Sequence, residues 1–250
     1  MYKELGDGNL LSDNIENGEV FPVGGSRFGI IDTHMQVDYD SFSELFGLIE
    51  KNAKYLMSVP TIKSWYENQK SDLDFSLFCH MMAFNNVIKL KYPDIINMYN
   101  HNRFYDRQEP KKLSDAIDQK ACACTELAVL AQGYFQQQNI PTRYVGGELV
   151  INNHFDDFEA HSFIAFTADN KKYIYDPVNP VRTNNDTILP RISEILSPEE
   201  RLYVDTRNLF DKSANWCYSG GEKGAFLKDL PTRKNANVAM DIFNRNGGRD

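Results

Sequence analysis

From Ser41 onward, Phe42, Leu45, Phe46, Ile49, Ala53 and Leu56 recur three or four positions apart, the repeat of a helix with one buried face. Ser41 stands where an N-cap is expected. A second helical repeat runs from about Asp74 to Lys91, with Phe75, Phe78 and Met82 on one face and Pro93 closing it. Asp94 to Tyr99 predicts a short third helix, which gives way to the polar stretch His101 to Lys112. Residues 1–40, rich in Gly, Asn and Asp, read as a loop-rich lead-in.

The pattern then changes. Leu113 to Ile117 predicts a turn or two of helix, and Cys124 to Gln138 a strong one. Leu127, Ala128, Leu130, Ala131, Tyr134 and Phe135 cover so much of its surface that it should be a buried central helix. Asn139 and Pro141 stop it. Three strand-like runs follow, Thr142–Ile151, Ala160–Thr167 and Lys172–Asp176, and Pro177 and Pro180 should end the last. Beyond Asp205 the chain turns polar, with a glycine cluster around Gly220, Gly221 and Gly224 that reads as a flexible turn. Helices first, then one helix and a meander of strands, predict an α+β fold. The organisation expected is a helical accessory region over 1–105, a core over 106–205 and a polar extension over 206–250.

Composition narrows the function classes. Of 250 residues, 42 % are hydrophobic, enough for a sizeable core. Twenty-seven basic against thirty-five acidic residues give a net charge of −8, which leaves no excess positive charge for neutralising phosphates and argues against nucleic acid. No apolar run approaches the roughly 18 residues that a membrane-spanning helix needs. Met1 to Asp13 is polar and lacks a charged-then-apolar leader pattern, so the expectation is a cytoplasmic protein, or one exported without a classical signal peptide. Four cysteines in such a chain read as reduced thiols.

A reduced thiol can do chemistry. Cys124 sits on the first turn of the central helix, where the positive end of the helix dipole favours a thiolate; it could equally be a small buried residue. The base it would need is offered by His161. With Ala168-Asp169 as a two-residue hairpin loop, His161 stands opposite Asp176 and Phe163 opposite Ile174, while a longer loop shifts that register. A carboxylate beside an imidazole fixes its tautomer and stabilises the imidazolium; a purely structural His–Asp pair has the same look. Cys122-Ala123-Cys124 lacks a second ligand pair at metal spacing, so no metal and no cofactor are expected. His34 and His101 lie in polar surroundings and read as surface residues, and His154 belongs to an acidic loop with Asp156, Asp157 and Glu159. For an oxyanion hole, the backbone N–H of Cys124 and the side chain of Gln119 are the candidate donors.

Cys124-Thr-Glu-Leu-Ala128, the stretch Asn139-Ile-Pro-Thr-Arg-Tyr-Val-Gly-Gly147, Ala160-His161-Ser-Phe163 and Tyr175-Asp176-Pro177 together resemble the transglutaminase-like superfamily over about residues 113–180. Members carry a nucleophilic cysteine, an alanine four residues on, a strand opening like "GIPxRYV", a histidine before an aromatic-rich strand and an aspartate in a "DP" step. Ala123, Ser162 and Asn139 stand where many relatives have Gly, Trp and Gly. The resemblance implies a papain-like or transglutaminase-like core and a Cys124–His161–Asp176 triad. It further implies acyl transfer through a thioester on amides of a protein or peptide substrate, as a deamidase, transglutaminase or protease. A bacterial effector or toxin would suit such a chain. Arylamine N-acetyltransferase-like chemistry, and a catalytically idle interaction module on the same scaffold, are the alternatives.

Overall fold

The computed structural model describes residues 3–4, 10–23, 34–69, 71–105, 109–151, 158–183, 187–195, 206–211 and 216–219. In chain order the elements begin with strands β1 (Lys3–Glu4), β2 (Leu10–Ser12), β3 (Val20–Pro22) and β4 (His34–Gln36). After a 3-10 turn at Tyr39–Phe42 come helices α1 (Ser43–Ser58), α2 (Pro60–Asn68), α3 (Phe75–Lys91) and α4 (Met98–Phe104). Strand β5 (Lys111–Lys112) leads into α5 (Leu113–Asp118) and α6 (Cys124–Gln137). The strands β6 (Arg143–Ile151), β7 (Phe158–Ala168), β8 (Lys171–Arg182), β9 (Ile188–Ile195), β10 (Thr206–Asn208) and β11 (Trp216–Ser219) complete the described chain. The architecture is α+β, as the alternation of patterns predicts. Among the described residues no helix is long and apolar enough to cross a membrane.

The main sheet runs β1-β2-β6-β7-β8-β9-β10, and β11 joins the free edge of β6. That edge is shared: β2 pairs along Tyr144–Gly146, and β11 along Glu148–Ile151. A smaller sheet holds β3, β4 and β5. Helix α6 packs on β6, β7 and β8, and α3 on β8 and β9. The core between helices and sheet is one hydrophobic cluster that reaches from Ile15 to Ile192, with Leu127, Ala128, Leu130, Tyr134 and Phe135 of α6 buried in it. Buried residues of the helices before residue 105 and of the segment after it belong to this same cluster.

Several local expectations are corrected. The first helix has Phe42, not Ser41, at its N-cap, because a 3-10 turn precedes it. In α3, Asp74 does cap, accepting from the Leu77 N–H at 3.0 Å. The short helix predicted at Asp94–Tyr99 lies at Met98–Phe104 instead, capped by Asn97. Helix α2 and strands β9, β10 and β11 have no counterpart in the sequence pattern. Pro177 and Pro180 do not end β8; they occupy a bulge. Pairing with β9 is regular up to Asp176–Arg191 and resumes at Val181–Leu189, so Pro177 to Pro180 loop out opposite Pro190. Prolines, which have no N–H to give a ladder, belong in such an interruption. The acidic loop with His154, Asp156 and Asp157, and the glycine cluster from Gly220, lie outside the described residues.

Two contacts from α3 hold the bulge. The buried Asn85 amide donates to the Pro177 carbonyl at 2.8 Å, and its oxygen accepts from the Tyr175 hydroxyl at 3.0 Å. Replacing Asn85 with alanine leaves the buried Pro177 carbonyl without this donor and the Tyr175 hydroxyl with only the Met81 carbonyl at 3.4 Å, a loss of about 1–3 kcal/mol. Chemical denaturation of N85A should show that loss; a change near zero would mean the bulge is held elsewhere.

Candidate active site

The chain is delivered to Cys124 by a specific turn. Helix α5 ends in a Schellman motif: the N–H of Ala121 bonds the Ala116 carbonyl, that of Lys120 the Ile117 carbonyl, and Lys120 takes a left-handed φ of 51°. Ala121–Ala123 then run extended beside Ile95–Asn97, with bonds from Cys122 N–H to Ile95 and from Asn97 N–H to Cys122. Ala123 is the N-cap of α6 and its side chain makes no cap hydrogen bond, while its own N–H is taken by Glu126 Oε2. Cys124 opens the helix there and is half-buried.

His161 reaches it from β7. Its Nε2 is 2.8 Å from Asp176 Oδ2, and the imidazole lies close enough to Cys124 to hold its thiol low. The hairpin that brings His161 and Asp176 together differs from the expected one. The turn is Asp169-Asn170, both left-handed (φ 48° and 62°), with Ala168 opposite Lys171 and Ile174 opposite Ala165. The register is thus two residues away from direct opposition of His161 and Asp176. A shift of two preserves the face, so the pair meets diagonally. Regular pairing of β7 with β8 stops at Ile164–Tyr175. Beyond that end, the Ser162 N–H is directed to the Cys124 sulfur.

Asp176 is completely buried and surrounded by donors. Oδ2 accepts from His161, from Asn179 Nδ2 at 2.9 Å and from the Tyr218 hydroxyl at 3.1 Å; Oδ1 accepts from the N–H groups of Val178 at 3.1 Å and Asn179 at 3.3 Å. Arg191, opposite Asp176 on β9, donates to the Asn179 carbonyl at 2.7 Å and stacks 3.8 Å from the centre of the Trp216 ring. The helix start is tied to β7 by a buried hydroxyl group: Ser162 Oγ lies 3.2 Å from Thr125 Oγ1 and 2.7 Å from the Tyr144 hydroxyl.

The electrostatics follow from these contacts. Burial opposes ionisation of Cys124, but the hydrogen bond and positive charge of His161, with the Ser162 N–H, outweigh it and hold the thiol below the ordinary cysteine range. Burial also opposes the imidazolium, yet the Asp176 carboxylate and the thiolate push His161 up to about 10. Asp176 is held below the usual carboxylate range despite burial, chiefly by the His161 charge. Cys122, two residues away and fully buried beside Glu126, is pushed the other way, far above the ordinary thiol range. The two neighbouring cysteines thus have opposite character.

Of the residues singled out in the sequence, Cys124, His161 and Asp176 are brought together. Gln119 is not among them: it lies exposed at the end of α5, where its carbonyl accepts from Asn100. His101 is buried rather than on the surface, 3.2 Å from Glu126. Tyr144 and Ser162 stand in the quoted motifs with no role assigned, and Asn179, Arg191 and Tyr218 carry no motif. Only the D-P-x-N spacing of Asp176 and Asn179 hints at a side chain that closes a turn on its own backbone. Among the described residues no group of three His, Cys, Asp or Glu side chains is arranged to hold a metal ion. A cleft of about 870 Å³ opens between Asn139–Arg143 and Ala165–Thr167, but no triad residue lines it. Comparison with models of known protein families, with curated proteins and with solved structures finds no match to this chain.

The pH dependence of stability has a definite sign. A histidine raised to about 10 contributes fully below its unfolded value of about 6.5 and loses that contribution as the pH climbs through about 10. Asp176, held low, contributes above about pH 4 and loses its share as the pH falls further. The gap in melting temperature between the native protein and H161Q should be widest near pH 6 and close toward pH 10. A gap independent of pH would contradict the charged pairing.

Proposed function

We propose that the chain is a cysteine-dependent acyl-transfer enzyme acting on amide bonds of proteins or peptides. The observation that carries this reading is the buried His161–Asp176 pair, joined at 2.8 Å beside Cys124, with the thiol held low and the imidazole high. Such a thiol and imidazole rest as thiolate and imidazolium, the activated state of a nucleophilic cysteine. The thiolate attacks the amide carbonyl carbon, and the carbonyl oxygen takes the displaced electron pair. In this reading the backbone N–H of Cys124, at the start of α6, is the donor for that oxyanion. Collapse of the tetrahedral intermediate breaks the C–N bond, and His161 gives its proton to the departing amine or ammonia. A water or a primary amine then loses a proton to His161 and attacks the thioester, which returns the thiol. Water makes the enzyme a deamidase or protease; an amine makes it a transglutaminase.

A helix with cysteine on its first turn, beside antiparallel strands that present histidine and then aspartate, supports a papain-like or transglutaminase-like core. Order along the chain supports it too, since Cys124, His161 and Asp176 fall in the sequence expected of that superfamily. In this reading Asp176 orients His161 and stabilises the imidazolium without taking its proton.

Incubation of candidate proteins with the enzyme, with and without a primary amine, separates the outcomes by mass spectrometry: the small gain of deamidation, an amine adduct, or a cleaved chain. C124A should abolish turnover and C122A retain most of it. H161A should be nearly as damaging as C124A, with losses on the order of 10⁴ or more, while D176N keeps a small measurable rate. The losses should not add. A fully active H161A protein would rule the mechanism out.

A further inference from the structure

The start of α6 meets a second histidine–carboxylate pair, on the side of the helix that faces α4. Glu126, one turn into the helix, is completely buried. Its Oε2 accepts the Ala123 N–H at 2.9 Å, the backbone half of a capping box, and its Oε1 lies 3.2 Å from His101 Nε2. His101 projects from α4 and is itself buried. The same helix is tied to the approach of the nucleophile by the bond from Asn97 N–H to the Cys122 carbonyl. One segment, Asn97 to His101, therefore grips the residues on either side of Cys124.

A buried carboxylate two residues from the thiol needs a reason. Unopposed, its negative charge works against the Cys124 thiolate. A cation beside it removes the conflict. Resting on the reading of Cys124 as nucleophile, we propose that His101 and Glu126 are positioning residues whose ion pair fixes the first turn of α6 and cancels the carboxylate's charge at Cys124. The charge balance supports this. Burial disfavours the imidazolium of His101, but the hydrogen bond and charge of Glu126 outweigh it and raise the histidine. The other titratable groups around the pair are Tyr105 of α4, Cys122 before α6 and Cys124 itself. Tyr105 and Cys122 are both pushed strongly toward their neutral forms, first by burial and then by the charge of Glu126, so neither adds a charge of its own. Arg103 of α4 is exposed and turned to Tyr99, where its guanidinium lies 5.3 Å from the ring centre. Across the helix start, His161 of β7 faces the sulfur from the other side. The nucleophile thus stands between two imidazoles, one beside it and one neutralising its helical neighbour.

The test follows alkylation of the Cys124-containing peptide by iodoacetamide as a function of pH, read by tandem mass spectrometry, with C124A as the blank. In the native protein, Cys124 should react well below the pH at which ordinary thiols ionise. H101Q should move that acid limb upward, on the order of one pH unit, because Glu126 is then uncompensated. E126Q should move it downward, and the double variant H101Q/E126Q should return it close to the native position. Circular dichroism melts, run alongside, identify any variant that does not fold; E126Q, which keeps an acceptor for Ala123, decides the matter if H101Q is one of these. Limbs that stay in place while melting temperatures fall would overturn the inference and leave the pair a mere clamp. An ordinary acid limb in the native protein would instead overturn the nucleophile reading on which it rests.

Discussion

The arrangement around Cys124 depends on one buried anion. Taking a carboxylate wholly out of water costs several kcal/mol unless its lone pairs are satisfied and an opposite charge lies close. Asp176 meets both conditions through His161, Asn179, Tyr218 and the two backbone N–H groups that follow it. Those backbone donors are free only because β8 leaves its ladder at that point. The bulge with its prolines is therefore the means by which a strand residue gains two donors that a regular strand would have spent on its neighbour. Asn85 from the helical side and Arg191 from β9 brace that bulge from two directions.

This explains why the N-terminal helices cannot be regarded as an appendage. Helix α3 contributes Asn85 to the turn after Asp176, and α4 contributes His101 to the start of α6. One hydrophobic cluster holds these helices against the sheet, so the packing that stabilises the fold also sets the distances in the site. The same economy shows in Ser162: its backbone N–H serves the sulfur while its hydroxyl joins Thr125 and Tyr144 in fixing where the helix meets the strand.

How much of this was legible in the sequence varied with the physics behind each element. The central helix was clear because its apolar residues leave no polar face, and β6, β7 and the first part of β8 were clear because their runs are bounded by turn residues. Strand β9 was hidden by Pro190, and the length of β8 by Pro177 and Pro180, since proline is read as a stop until a bulge gives it a place. The hairpin register missed by two because both Asp169 and Asn170 accept left-handed backbone, and only the folded chain shows which pair does so. Cys124, His161 and Asp176 were picked out by residue type and spacing. Tyr218 and Arg191 were not, for their roles arise wholly from strands that the pattern does not announce. His101, set among Asn and Arg in a short polar helix, gave no sign that its imidazole turns inward.

The position of β11 along the chain has a consequence for the order in which the site comes into being. Tyr218 and Trp216 are encoded after every other described part of the machinery, yet one donates to Asp176 and the other backs the arginine that steadies its turn. The pairings of β6 through β9 bring His161 and Asp176 together without β11, but the carboxylate then lacks its tyrosine. Full stabilisation of the imidazolium waits for β11 to dock on the edge of β6. The full set of donors to Asp176 is thereby tied to the docking of β11 on the sheet.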